Sequence, residues 1–306
     1  MMATEDRKNL IETVKRKETL RPLSRVERLL KDPVHALPYY VLATLSHIKP
    51  FKISFPTLWQ TRMICYLPEG NTFYYYGFCE ANVTNFLIRY VEEGMTMIDV
   101  GAHVGIYSML GSELVGENGQ IHSFEPTPWT FDILKENTAR LANVTANNLA
   151  IASTERTLTF ADYGPGYGAY NSAHKDAAGE LNKTSTAREV LSVALDDYCQ
   201  SHNLTPDILK IDAEGFEFEV LSGSTKILDK QNTTPRPLVL IEVANGDTWA
   251  ENRAQSFKFL DEHDYLPFEM ETSGLVSPHE LKESYKYDNL LFVPRERVGE
   301  LKEITL

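Results

Sequence analysis

The chain has 306 residues, and 43 Asp plus Glu against 30 Lys plus Arg give a formal charge of −13. Apolar residues make up 42 % and charged residues 24 %, the proportions of a globular chain with a substantial core. An acidic balance of this size argues against a nucleic-acid partner, whose phosphates are neutralised by Lys and Arg, so none is expected.

The charge is uneven. Residues 1–31 carry nine Lys/Arg against five Asp/Glu, which leaves the remaining chain with seventeen negative charges in excess. A basic arm on an acidic body could touch an anionic membrane surface or partner, although a charge-mixed helix is most often only solvated. No secretory h-region is visible, and the longest apolar stretch, residues 36–45, is too short to span a bilayer and contains Pro38. Cys65, Cys79 and Cys199 are widely spaced and form no zinc-type cluster. They read as reduced thiols in a cytoplasmic protein.

In chain order, residues 5–31 read as helical, and Pro22, Pro33, Pro38, Pro50 and Pro56 break the adjoining segment into short pieces. The aromatic-rich run from Ile53 to Tyr76, with Pro-Glu-Gly-Asn at 68–71 in its middle, reads as a β-hairpin. Residues 80–92 read as a helix with Val83, Phe86, Leu87, Tyr90 and Val91 on one face. Strands then alternate with helices: strand 96–100, helix 106–115, strand 120–124, helix 128–141, strand 144–152. After a long loop at 164–188 come strand 208–211, helix 216–228, strand 238–243 and helix 249–263. Two strands, 265–270 and 289–293, close the chain without an intervening helix. The alternation predicts a doubly wound, mostly parallel α/β sheet with an antiparallel strand at one edge. The expected division is an N-terminal helical arm and hairpin cap over 1–79, then one domain over 80–306.

The sharpest local signal is Met97-Ile-Asp-Val-Gly-Ala-His-Val-Gly105. A buried strand ends at Asp99, and Gly101 and Gly105 bracket a turn into a helix whose free N–H groups face the ligand edge. The spacing lacks the middle glycine of the dinucleotide fingerprint, and Asp99 would repel a pyrophosphate. An acid there suits a cationic ammonium. Glu125, at the end of the second strand, suits ribose hydroxyls. Adenosine with an ammonium and a carboxylate but no phosphate describes S-adenosylmethionine. Alternatively, the two glycines merely make a tight turn.

Five stretches together resemble the FkbM family of S-adenosylmethionine-dependent methyltransferases: Ile98-Asp-Val-Gly-Ala-His-Val-Gly-Ile106, Phe124-Glu-Pro126, Asn148-Leu-Ala-Ile-Ala-Ser153, Leu195-Asp-Asp197 and Leu209-Lys-Ile-Asp-Ala-Glu-Gly-Phe-Glu217. The last, followed by Val220-Leu-Ser-Gly223, is the most diagnostic. The resemblance covers about residues 80–243 and implies a class I methyltransferase (Rossmann-like) sheet and O-methylation, often of sugar or polyketide hydroxyls. It places Asp99, Gly101, Ala102, His103 and Gly105 at the methionine end of the cofactor, Glu125 at the ribose, and Asn148 and Ala150 beside the adenine. His103 departs from the Asn more usual in the family. Glu80 sits where the family often has Glu.

Asp212 and Glu214 follow the fourth strand and Glu242 ends the fifth, so right-handed crossovers bring them to one ligand face. Methyl transfer to a hydroxyl needs in-line alignment and a group that removes the proton, and Asp212 ranks first for that role. Glu214 could instead simply favour a helix start, and Lys210 could pair with a neighbouring carboxylate. The three acids could alternatively hold Mg²⁺. Phe73-Tyr-Tyr-Tyr76 and the Gly/Tyr loop at 164–170 are expected to wall the acceptor, with Tyr167 and His174 as further contacts. The tyrosines could instead pack the N-terminal segment onto the domain. The resulting expectation is an O-methyltransferase acting on a small hydroxylated acceptor, a sugar, glycoside or polyketide-like metabolite. The alternatives are an RNA 2′-O-methyltransferase, a catalytically silent scaffold and, remotely, a nicotinamide oxidoreductase.

Overall fold

The computed structural model describes residues 2–168, 171, 184–244, 247–285 and 287–306. The chain opens with α1 (Thr4–Glu18), which buries Leu10, Ile11 and Val14 and carries acids in its first turn and bases in its last, complementing the helix dipole. Then come α2 (Arg25–Lys31) and α3 (Pro33–Ile48), joined by Asp32 alone. Ser24 and Glu27 form a reciprocal capping box that starts α2. The prolines do not fragment α3 as expected. Pro33 occupies the first helical position, where no N–H is needed, and Pro38 forgoes a single hydrogen bond.

Strands β1 (Phe51–Pro56) and β2 (Arg62–Leu67) pair antiparallel, Phe51 opposite Leu67 and Pro56 opposite Arg62. The hairpin turn is therefore at 57–61, not at 68–71. Residues Asn71–Tyr76 form a helix, α4, closed by Gly77 in the left-handed region. Their aromatic β-propensity yields to packing, with Phe73, Tyr75 and Tyr76 all buried.

Helix α5 (Ala81–Tyr90) leads into the main sheet. Its elements are β3 (Thr96–Val100), α6 (Ile106–Val115), β4 (Gln120–Phe124), α7 (Pro128–Thr138) and β5 (Val144–Asn147). A side sheet comes next, with β6 (Ala150–Ile151), β7 (Arg156–Asp162) and β8 (Thr186–Val193) in the order β6-β8-β7. The single strand expected over 144–152 is thus two, in different sheets. Register explains the break: Asn147 pairs with Phe124, the last residue of β4, so β5 has no partner beyond it.

Then come α8 (Leu195–His202), β9 (Ile208–Ile211), α9 (Glu217–Ser222), α10 (Thr225–Leu228), β10 (Leu238–Ala244), α11 (Asp247–Glu262), β11 (Tyr265–Met270), β12 (Val276–Pro278) and β13 (Tyr287–Pro294). The helix expected over 216–228 divides at Gly223, whose backbone is pressed so close to Ala152 that a Cβ would meet its carbonyl oxygen at 2.0 Å. The Asp196 carboxylate accepts from the N–H groups of Lys226 and Ile227 and so caps α10.

The main sheet runs β12-β11-β13-β10-β9-β3-β4-β5. Strands β5, β4, β3, β9 and β10 are parallel, and β13 lies antiparallel between β10 and β11. This is the class I methyltransferase, Rossmann-like arrangement. The antiparallel β13 is not at the edge as expected but two places in from it, and the short β12 is a second antiparallel strand at the margin itself. Strand β9 is buried throughout and β3 nearly so, as central parallel strands covered on both faces must be. Leu10, Ile11 and Val14 of α1 join the same apolar cluster as Phe86, Leu110 and Leu114. Among the described residues no helix is long and apolar enough to cross a membrane.

Candidate active site

The chain leaves β3 outward to β4 and β5 and returns to β9 on the other flank, so the strand order reverses between β3 and β9. Ligands bind at such reversals, over the carboxyl ends of the strands. A cavity of about 230 Å³ sits there.

The turn after β3 is shaped by backbone contacts. The N–H groups of Gly101 and Ala102 both donate to the Phe124 carbonyl, at 3.0 and 2.9 Å. Gly101 has φ +73°, and a Cβ on it would lie 1.7 Å from the Asp212 carbonyl oxygen. Only glycine lets the β3 and β9 turns touch this closely. Next, His103 adopts φ +51° and donates its backbone N–H to Glu125 Oε2 at 3.1 Å. Thr127 donates both its N–H and its hydroxyl to Glu125 Oε1. Burial raises the Glu125 carboxyl, against the lowering pull of these donors and His103.

Four carboxyl groups gather on the β9 and β10 side. Lys210, in register opposite Asp99 on β3, is buried with its Nζ 3.0 Å from Asp212 Oδ2 and 3.8 Å from Asp99 Oδ1. Burial disfavours its ammonium, but Asp212, Asp99 and Glu80 outweigh that and raise it. Burial works against the Asp212 carboxylate too, yet Lys210 and a hydrogen bond from Glu242 hold it below its ordinary value. Glu242 is the counterpart: burial, with the charges of Asp212 and Glu214, lifts it well above the carboxylate range, so it carries the proton the two share. Carboxyl oxygens of Asp212, Glu214 and Glu242 all lie within 4.8 Å of one another. Burial and the neighbouring Asp212 and Glu217 charges push Glu214 up to about 8. Below it, Glu217 Oε1 accepts from the N–H groups of Ala213 and Gly215, and Asn252 holds its other oxygen. Glu217 thereby fixes the turn in which Glu214 takes φ +50° and Gly215 φ +92°. These three acids are the cluster that could offer oxygen ligands to Mg²⁺, but Lys210 Nζ already places a cation 3.0 Å from Asp212, and nothing beyond the clustering supports a metal among the described residues.

A third group comes from the N-terminal part. Glu69, beyond β2, places Oε1 2.6 Å from His103 Nε2. Burial alone would lower His103, but Glu69, Glu125 and Asp212 push it up to about 9, so the imidazole is charged. A Cβ on Gly168 would lie 3.1 Å from Glu69 Oε1 and 3.2 Å from His103 Nε2, so this glycine closes over the pair.

Of the residues singled out in the sequence, Gly101, Ala102, His103, Glu125, Ala150, Asp212, Glu214 and Glu242 all line the cavity. Four stand behind its wall. Asp99 accepts from the Ser108 hydroxyl and faces Lys210. Glu80 accepts from the Tyr107 hydroxyl and the Asn289 amide, tying α5 to α6 and β13. Gly105 at φ +91° starts α6 against Leu134. Asn148 donates to the Glu125 and Pro126 carbonyls and braces the strand end. Phe73 and Gly168 line the cavity, but Tyr74, Tyr75, Tyr76 and Tyr167 do not. Tyr75 packs on Tyr39 of α3, and Arg21 lies over the Tyr76 ring, so these tyrosines bind the N-terminal helices to the body. His174 and residues 169–170 lie outside the described residues. Sequence reasoning missed Glu69, read only as part of a turn, and the apolar shelf completed by Phe124, Leu149, Ile151 and Phe160. Phe160 comes from a strand that had no visible signal beside the long loop.

The cavity thus has an apolar shelf on one side and an acid-rich floor on the other, suited to a flat apolar group joined to a cationic one. The Methyltransferase FkbM domain model matches residues 99–267, more than half of the chain. Hexuronic acid methyltransferase AglP of Haloferax volcanii is 28 % identical over 169 residues, 55 % of this chain and 63 % of that protein's length. The match therefore spans less than two thirds of that relative. Among solved structures, an O-methyltransferase from Bacillus cereus in complex with SAH is 11 % identical, with 69 % of this chain and 78 % of that one covered and a TM-score of 0.40. Aeropyrum pernix fibrillarin is 11 % identical, covering 70 % and 73 %, also with a TM-score of 0.40. The chain belongs to the FkbM methyltransferase family.

Proposed function

We propose that the chain is an O-methyltransferase that methylates a hydroxyl of a small sugar or glycoside, with residues 1–79 capping a catalytic unit formed by 80–306. The observation that carries the reading is the cluster of Asp212, Glu214 and Glu242 facing the same cavity as Glu125 and the apolar shelf. The similarity to a hexuronic acid methyltransferase supports a sugar acceptor, and a sugar acid in particular.

The residues present fit the cofactor. Phe124, Leu149, Ala150, Ile151 and Phe160 offer an apolar slot for a flat base. A carboxylate has about four acceptor positions, and three on Glu125 are filled by His103 and Thr127, which leaves room for a ribose hydroxyl. When bound, S-adenosylmethionine supplies an electrophilic methyl group on a cationic sulfur. The acidic floor favours that charge.

Asp212 accepts the hydrogen bond of the acceptor hydroxyl and aims its oxygen along the line of displacement. It then takes the proton on its carboxylate. A carboxylate of low pKa suffices, because the hydroxyl proton becomes strongly acidic as the new carbon–oxygen bond forms. Lys210 and the proton on Glu242 keep Asp212 ionised, while Glu214, protonated at neutral pH, offers a donor to a second sugar oxygen. Glu69, His103 and Phe73 shape the acceptor side. Phe73 gives a ring face for sugar C–H groups.

The test is methyl transfer from isotopically labelled S-adenosylmethionine to a panel of hexuronate glycosides, neutral glycosides and short RNA, read by mass spectrometry. Label on a glycoside as an ether supports the reading. Label on RNA alone or on nitrogen would overturn it.

A further inference from the structure

Helix α3 presents Val34, Leu37, Val41, Leu45 and Ile48 to solvent, each between 50 % and 82 % exposed. Their spacing of three, four, four and three residues puts them within one narrow stripe along a helix of about 24 Å. The opposite side of the helix, with Ala36, Tyr39 and Ser46, packs inward. Adjoining α2 exposes Val26 and Leu30 as well, at 65 % and 79 %. Scattered exposed apolar residues need no explanation, but seven on two joined helices mark a contact surface.

The charge around the stripe selects the partner. Residues 21–52 carry six Lys/Arg against two Asp/Glu, in a chain whose net charge is −13. Arg25, Lys31 and Lys49 make no ion pair among the described residues. A cavity of about 610 Å³ under α2 and α3 is also cationic, with Arg25 and Arg28 on its wall. Two polar atoms there, Tyr40 Oη and Asn71 Oδ1, are buried and find no hydrogen-bond partner among the described residues. Pairing this face with a second copy would bring like charges together. An anionic bilayer offers apolar depth to the stripe and negative head groups to its cationic flanks. The helix is too short to span, so it would lie in the interface.

We propose that the α2–α3 face docks on anionic membrane surfaces, with the apolar stripe of α3 inserted at the head-group boundary. The proposal stands apart from the acceptor assignment. Helix α4 would connect the two sites, since Asn71 lines the cavity behind α3 while Phe73 lines the catalytic one.

The test is flotation of the full chain with vesicles of phosphatidylcholine alone and of equimolar phosphatidylcholine and phosphatidylserine. The expected result is binding to the mixed vesicles only, falling as salt rises. L37E/V41E/L45E should abolish it, and K31A and K49A should each weaken it about fivefold. These side chains are exposed, and unchanged binding of S-adenosylhomocysteine by the variants would show that the fold persists. Absence of binding to mixed vesicles would overturn the proposal, as would binding that the triple variant retains. A dimer in solution that the same triple substitution dissociates, without vesicle binding by the wild type, would assign the face to a second copy instead.

Discussion

Gly101 and Asp212 lie back to back at the centre of the site: a Cβ on Gly101 would come within 1.7 Å of the Asp212 carbonyl oxygen. The contact joins the turn after β3 to the turn carrying the proposed proton acceptor. Gly101→Ala must move one of these turns and also hold φ +73° with a side chain. We expect a loss of about 3 kcal/mol in urea unfolding and loss of S-adenosylhomocysteine binding together. A variant as stable as wild type would show that the turns separate freely.

Glu217, Glu214 and His103 all have pKa values raised by folding, to about 7, about 8 and about 9. For Glu217 and Glu214 burial is the main cause. For His103 the Glu69 charge overcomes burial. A raised pKa means that the folded state holds the proton more tightly. The associated stability is complete below the unfolded value, 4.5 for the acids and 6.5 for His103, and is lost as pH rises through the folded value. The urea midpoint should therefore fall from pH 5 to pH 9. Between pH 8 and 9 Glu214 completes its titration while His103 is still losing its proton, so H103N should make that part of the curve shallower. A midpoint that rises across this range would contradict the assignment.

Glu214 also gives the site a pH-dependent preference for a positive ligand. As pH passes through about 8 its carboxyl ionises, and a nearby sulfonium becomes more favoured over the neutral thioether. Calorimetric affinities for S-adenosylmethionine relative to S-adenosylhomocysteine should rise across pH 8, by an order of about tenfold compared with E214Q. Parallel curves for wild type and E214Q would place Glu214 away from the sulfur.

The Glu69–His103 pair belongs to the acceptor side of the proposed site. E69Q removes the charge that keeps His103 protonated. The acceptor KM should rise by about tenfold while S-adenosylhomocysteine affinity stays within about twofold. An equal loss of both would mean that the pair serves the whole cavity.

The strand-and-turn register was legible because the signals were local. Thr96–Val100, Gln120–Phe124 and Ile208–Ile211 are short apolar strands bounded by turns, and the acids after them could be placed by topology alone. What local pattern could not show was which side of the wall a side chain meets. Asp99 reads as a ligand contact but answers Lys210 across β3 and β9, a pairing fixed only by strand register. Glu69 reads as turn chemistry but is carried into the cavity by the β1–β2 hairpin. Phe73 to Tyr76 have strand-like composition, yet burial between α3 and the body makes them helical. The stripe on α3 was hidden by its two prolines, which suggested fragments where a continuous helix stands.

The role proposed for Asp212, accepting the proton of a sugar hydroxyl during methyl transfer, is open to direct measurement. Single-turnover transfer of labelled methyl to a hexuronate glycoside is compared for wild type and D212N, with cofactor binding checked by calorimetry. We predict an ether-linked methyl on a ring hydroxyl and a rate at least about a hundredfold lower in D212N, with S-adenosylhomocysteine affinity retained. An unchanged rate in D212N would contradict that role.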